Sequence, residues 1–351
     1  MRPVLLLLAI VGQNGGQPEY RQVVPGYHFQ FPKDHFDHPQ FRTEWWYYTG
    51  NLRAADGHRY GFELVFFRQG VHSAQDNPSA WRVDDLYLAH LALTDIDGRR
   101  FQYFKRLNRA GPGIAGVSFD DGRIWNGNWE SKWDKASGAQ VLSAMAAGIR
   151  FSFRLTPLTP PVIQGENGVS RKAAAAGRAS YYVSFPRLGV TGTLNGAPVT
   201  GAAWMDHEWF TNQLESGQAG WDWLSAQLED NTEIMLFEIR HVDGSVDPYS
   251  AGTFVGRDGH SHHLKRADFE MQPLAFWTSR KTGTRYPVKW RIRIPGLKLS
   301  LECEAAIPNQ ELASEDAAGP SYWEGAVRYS GSVKGAGYLE MTGYDKPVQL
   351  Q

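Results

Sequence analysis

The sequence predicts an all-β protein made of two tandem antiparallel β-barrel domains. Three observations carry this: period-two strands along most of the chain, Asp-Gly and Asn-Gly turns between several of them, and a hairpin pattern that occurs twice. "RYGFELVFFR", "LYLAHLALTD", "IRFSFRL", "ASYYVSF", "TEIMLFEIR" and "VKWRIRIP" alternate polar and apolar side chains. Turns at Asp56-Gly57, Asp97-Gly98, Asn195-Gly196 and Asp258-Gly259 punctuate them. "VLSAMAAGIR" and "RKAAAAGRAS" have the composition for a helical turn or two, and Gly on either side of the second makes it read better as loop.

In chain order, "MRPVLLLLAIVGQNGG" has one Arg, an apolar run from Pro3 to Val11, then small and polar residues, the order of a secretory leader. Residues 1–18 are therefore expected to be a signal peptide and the mature protein periplasmic or secreted. The apolar run is too short to span a bilayer. "WWYYTGNL" at 45–52 lies over "WDWLSAQL" at 221–228, matching Trp45 with Trp221, Asn51 with Gln227 and Leu52 with Leu228. "FELVFFR" at 62–68 then lies over "IMLFEIR" at 234–240, ending in Arg68 and Arg240. The repeat divides the chain into an N-terminal barrel over 20–200 and a C-terminal barrel over 201–351. Closing each sheet removes exposed edges, and a small barrel can hold one ligand at its centre. The polar stretch 157–178 is long enough to be a lid or binding loop.

Composition narrows the partners. Thirty-six Lys and Arg balance 37 Asp and Glu with no basic run, which argues against nucleic acid. Thirteen Trp, 15 Tyr and 18 Phe suit strands and apolar cavities, so the expected partner is a small apolar ligand. Export leaves room for a peripheral contact with the membrane or an envelope complex. Cys303 is the only cysteine, so no internal disulfide forms.

"FRTEWWYYTGNL", "QGENGVSRK", "AWMDHEWF", "GWDWLSAQL" and "YWEGAV...GYLEMTGY" together resemble the lipocalin-like family that groups AttH-type proteins with carotenoid 1,2-hydratases. The resemblance covers nearly all the chain after residue 20. It implies two lipocalin-like barrels, an apolar unsaturated ligand of isoprenoid or polyene type in a cavity near the domain junction, and a hydratase-type reaction without a cofactor. It also implies an acid and aromatic residues, falling here on Asp206, His207 and Trp209.

The residues themselves supply that chemistry. In a strand over 204–210, Trp204, Asp206, Glu208 and Phe210 share one face, and Met205, His207 and Trp209 the other. Hydrating an alkene needs a proton donor, an electron-rich surface for the carbocation and a held water. A carboxylic acid kept neutral by burial, or His207 protonated beside a carboxylate, fits the first requirement, and tryptophan faces fit the second. Asp206 and His207 are the catalytic candidates. Trp204, Glu208, Trp209, Trp221, Trp223, Asp222, Glu238, Glu44 and Trp45 are candidates for the ligand site. The competing readings are structural: a carboxylate of 206–208 fastening strands through an Arg, Arg42 with Glu44 closing a barrel end beside Trp45, Asp222 as a solvated edge charge, and Glu238 paired with Arg240 at i, i+2. His90 reads as a hydrogen-bonded core residue. "HSHH" at 260–263 reads as a solvated loop, so no metal site is expected, and "GPGIAG" at 111–116 as a turn. No G-x-S-x-G elbow is present. The alternative to an enzyme is a non-catalytic carrier of the same ligand or an envelope accessory protein.

Overall fold

The computed structural model describes residues 20–71, 78–79, 82–314 and 321–348, and the leader expected over 1–18 lies outside them. The first sheet contains β1 (Thr43–Ala54), β2 (Arg59–Gly70), β3 (Asp85–Asp95), β4 (Arg100–Arg109), β5 (Ala115–Ser118), β6 (Arg123–Asn126), β7 (Trp129–Trp133), β8 (Gln140–Ala146), β9 (Ile149–Pro157), β10 (Val162–Ile163), β11 (Ser170–Arg171), β12 (Ala179–Leu194) and β13 (Ala197–Phe210). The second contains β14 (Gln218–Leu228), β15 (Glu233–His241), β16 (Ala251–Val255), β17 (Ser261–Lys265), β18 (Glu270–Thr278), β19 (Arg285–Ile294), β20 (Leu299–Ala305), β21 (Glu311–Leu312), β22 (Tyr322–Gly331) and β23 (Gly335–Met341). All pairings within the two sheets are antiparallel, and both sheets curl to give the two-barrel all-β fold.

The same connectivity builds both units. The order β4-β3-β2-β1-β13-β12-β9 in the first matches β17-β16-β15-β14-β23-β22-β20 in the second. In each, a four-strand meander is followed by pairing of the first long strand with the last, β1 with β13 and β14 with β23. The sheet changes between Phe210 and Gln218, so the junction expected near residue 200 falls inside β13. "VLSAMAAGIR" forms the β8–β9 hairpin rather than helical turns, because its alternate residues Leu142 and Ala144 join the core. "HSHH" is mostly strand rather than loop, since Ser261–Lys265 pairs along β16 as an edge strand.

Side-chain alternation decides what each sheet buries. Trp46, Tyr48 and Leu52 of β1 point into the first barrel with Leu64, Phe66 and Phe153 and fill it. The second barrel is filled in the same way around Leu224, Leu236, Trp290 and Trp323. The opposite faces of the central strands are apolar too, and they pack on each other: Tyr47, Val65, Tyr182 and Trp204 against Trp223, Phe237, Ala326 and Tyr338. β1 and β2 lie on β23 and β22, while β14 and β15 lie on β12, an approximate twofold exchange of the two units.

Polar clasps hold this junction. Arg187 Nε donates to Glu233 Oε1 at 2.5 Å, and Gln227 Nε2 donates to the carbonyls of Pro186 and Ala203, each at 2.8 Å. Thr94 Oγ1 donates to Gln310 Oε1 at 2.6 Å. The sheets approach most tightly at Gly61, where a Cβ would stand 2.6 Å from Ala326 Cβ and 2.8 Å from Tyr338 Oη. Gly61→Val is accordingly expected to destabilise the protein by about 1–3 kcal/mol through overpacking, measured as a lower urea midpoint. An unchanged midpoint would mean that the junction opens freely at this point.

Candidate functional site

A cavity of about 310 Å³ lies between the two barrels, at the lower end of the roughly 300–1,000 Å³ typical of small-molecule sites. Antiparallel register brings its wall together. Lys105, His90, Val65, Tyr47, Asp206 and Ser184 are successive cross-strand partners over β4, β3, β2, β1, β13 and β12, and therefore share one face. The next row runs through Leu88, Phe67, Trp45, Glu208 and Tyr182. From the second unit come Trp221 and Trp223 of β14, Phe237 and Ile239 of β15, Tyr322 and Glu324 of β22, and Glu340 of β23.

Of the residues expected from sequence, Trp45, Asp206, Glu208, Trp221 and Trp223 line this cavity. Trp204 stands behind it, donating from Nε1 to Asp206 Oδ1 at 2.7 Å. His207 and Trp209 do not reach it, because alternation turns them to the other face of β13. There His207 Nε2 lies 2.8 Å from Glu44 Oε1, His38 Nδ1 lies 2.7 Å from the same oxygen, and Trp209 stacks on His38 at 3.8 Å. Glu44 is completed by Arg68 Nε at 3.2 Å, so its partner is Arg68 rather than Arg42: Arg68 stands directly across the β1–β2 ladder. Burial opposes ionisation of Glu44, but His38, His207 and Arg68 hold its carboxyl far below the usual range. Among the described residues His38, Glu44 and His207 form a group spaced to hold a metal ion. Arg68 already supplies the positive charge there, so this cluster reads as an ion-pair lock at the barrel end.

Asp222 and Glu238 also point away from the cavity. Arg240 pairs with Asp222 at 2.8 Å rather than with Glu238, whose cation is Arg266 at 3.4 Å. Asp222 and Glu238 are themselves opposite one another across β14 and β15, so Arg240 is shared diagonally and not along its own strand.

The acids of the cavity wall are its main chemical feature. Asp206 accepts from Tyr182 Oη at 2.6 Å, Ser184 Oγ at 2.5 Å and Trp204 Nε1, yet burial still pushes its carboxyl up to about 7. Burial pushes Glu63 up to about 8 and Glu340 up to about 7. Glu324 is raised well above the usual range by burial and by the charges of Glu63 and Glu340, and Tyr47 Oη donates to it across the junction. His90 Nδ1 lies 2.6 Å from Tyr322 Oη, which donates to Glu63 Oε1 at 3.2 Å. Burial lowers His90 to about 3 and keeps it neutral. Glu208 instead keeps a cation, Lys172 Nζ at 3.3 Å, together with Ser180 and Gln213. Lys172 comes from the stretch read as a binding loop, and burial lowers its basicity.

Glu63, Glu324, Glu340, Lys105 and Lys172 were not among the candidates. The signal for the acids was present in "YGFELVFF", "YWEGAV" and "GYLEMTG", where one carboxylate interrupts an apolar strand as Asp206 does. Only pairing across the junction shows that they converge. Neutral acids in the fold take up protons that the unfolded chain releases, so their stability contribution is present at low pH and lost as pH rises through the folded values of about 7 to 8. The depressed histidines act in the opposite direction, chiefly below about 6.5. Stability is expected to rise by about 3 kcal/mol between pH 8 and pH 6.5, followed by thermal unfolding, and Glu63→Gln should roughly halve the rise. A flat or inverted profile would mean that these acids are ionised in the fold.

The sequence profile of the family described as AttH-like matches residues 22–344. The crystal structure of an AttH-type protein from Nitrosomonas europaea is 36% identical, covers 94% of this chain and 100% of its own, and superposes with a TM-score of 0.85. The crystal structure of kievitone hydratase from Nectria haematococca is 16% identical, covers 95% of this chain and 96% of its own, and superposes at 0.66. No curated protein sequence matches the chain significantly.

Proposed function

Because the chain belongs to the AttH-like family, we propose that its junction cavity binds an apolar, unsaturated small molecule and adds water to it by acid catalysis. The observation that carries this reading is a set of buried carboxylic acids, their ionisation pushed up to about pH 7 or beyond, in a wall of tryptophan and tyrosine shared by two barrels. A hydratase of the same fold supports it by analogy of architecture alone.

The acids divide by environment, the usual basis for assigning an acid and a base. Glu324, pushed up by burial and by two neighbouring carboxylates, is the proton donor to an alkene carbon. The faces of Trp45, Trp221 and Trp223 stabilise the resulting carbocation. Water attacks the cation, and the proton it sheds passes to Asp206, whose ionised form accepts from three hydrogen-bond donors and is partly populated near pH 7. Asp206 then releases its proton to solvent and Glu324 takes one up, so each turnover consumes one water with no net change in protons, and no cofactor is needed. Export to the periplasm or medium, with contact to an envelope complex, belongs to the same proposal and rests on residues 1–18.

The test is incubation of the protein with acyclic isoprenoids, followed by mass spectrometry for a product heavier by one water. Glu324→Gln and Asp206→Asn are each expected to lower the rate by about 10²–10⁴-fold while retaining ligand. A ligand bound and recovered unchanged by the unaltered protein would make it a carrier. Failure to bind any apolar molecule would overturn the reading altogether.

A further inference from the structure

Three basic side chains reach the cavity, and two of them are matched. Arg68 is held by Glu44 and by Asp85 at 2.8 Å. Lys172 is held by Glu208 and by Ser170 Oγ at 3.0 Å. Lys105 makes no hydrogen bond and no ion pair among the described residues. Its Nζ stands 5.7 Å from the centre of the Tyr322 ring, near the limit of a useful cation–π contact. A half-buried ammonium without a counter-ion is unfavourable, and here it faces the void.

The surroundings make the mismatch larger. Lys105 projects from the edge strand β4 beside His90, which is neutral, and opposite Tyr322 of the second unit. Glu63 of β2 is the carboxyl close enough to influence it, and burial keeps that carboxyl protonated below about pH 8. Lys281, from the turn between β18 and β19, adds a second positive charge near Lys105 and bonds Tyr103 Oη at 2.9 Å. This side of the cavity is therefore positive, while the remainder is an aromatic and aliphatic wall interrupted by buried acids and by the paired Lys172 and Arg68.

We propose that the ligand is an apolar chain ending in a carboxylate, and that Lys105 is the residue that binds this anionic end. The assignment rests on the reading that the cavity takes an apolar molecule, and it adds the polarity and the orientation of that molecule. With the carboxylate on Lys105 beside Tyr322 and Glu63, the chain extends along Val65 and Tyr47 toward Asp206. The preference depends on pH, because above about 8 Glu63 ionises and competes for Lys105.

The experiment is a titration of the full chain at pH 7 with farnesoic acid and with farnesol, followed by quenching of intrinsic tryptophan fluorescence. The acid is expected to bind roughly tenfold more tightly than the alcohol, the scale of one charge-assisted hydrogen bond. Lys105→Met should bring the acid down to the affinity of the alcohol and leave the alcohol unchanged, whereas Lys105→Arg should retain the preference. Raising the pH from 7 to 9 should shrink the preference in the unaltered protein. Equal binding of acid and alcohol, unmoved by Lys105→Met, would overturn the anionic end while leaving the apolar cavity in place. Binding of neither probe would overturn both.

Discussion

The architecture depends on burying the outer faces of two sheets against each other although those faces carry charge. Each barrel fills its own interior, with Trp46 and Phe66 in the first and Leu224 and Trp323 in the second, and the cavity lies between them. The contact between barrels is built from Tyr47, Val65, Tyr182, Trp223 and Phe237, and it would close into a simple apolar seam but for Asp206, Glu63, Glu324 and Glu340. Those acids cannot keep full charge there, since desolvation and mutual repulsion disfavour it. Their suppressed ionisation lowers the cost of bringing the sheets together, and it also leaves acid groups beside an apolar void.

Two kinds of polar network coexist, and they differ in how completely they are compensated. At Glu44 the carboxylate itself is fully matched: two histidines and a guanidinium surround it, and Trp209 stacks over His38, although His207 Nδ1 and Trp209 Nε1 are buried without a hydrogen-bond partner among the described residues. Such a cluster fixes strands and leaves little to react. The junction group is open. Tyr47 reaches Glu324 and His90 reaches Tyr322, crossing from one unit to the other, yet Glu63 keeps a buried oxygen without a partner. An unsatisfied buried oxygen is costly, and its persistence beside a cavity is typical of a functional site.

The pseudo-repeat explains why the cavity is shared. Glu340 stands opposite Trp223 on β14 as Asp206 stands opposite Tyr47 on β1, and Tyr322 holds on β22 the place that Tyr182 holds on β12. Each unit thus contributes an acid, a tyrosine and an aromatic wall from equivalent strands. Divergence between the copies then separates the roles: Tyr182, Ser184 and Trp204 surround Asp206 with donors, whereas Glu324 occupies the place of Ser184 and adds a second acid beside Glu340. By register the counterpart of Lys105 on β17 is Lys265, which is exposed and pairs with Glu166 at 3.1 Å, so the basic end of the cavity belongs to the first unit alone.

Alternation and turns in the sequence were sufficient for the all-β class and the tandem arrangement, because period two and Asp-Gly turns are local properties of a strand and its end. The division of "AWMDHEWF" into two faces was equally local, and it separates Asp206 and Glu208 from His207 and Trp209 as the structure does. Pairing across strands was not local. Arg68 took Glu44 from Arg42, and Asp222 took Arg240 from Glu238, because the nearest neighbour of a strand residue lies across the ladder. The convergence of Glu63, Glu324 and Glu340, hundreds of residues apart in two of the three cases, came only from docking one sheet on the other. Their acidity follows from that docking, since desolvation is set by what covers a carboxyl and not by its neighbours in the chain.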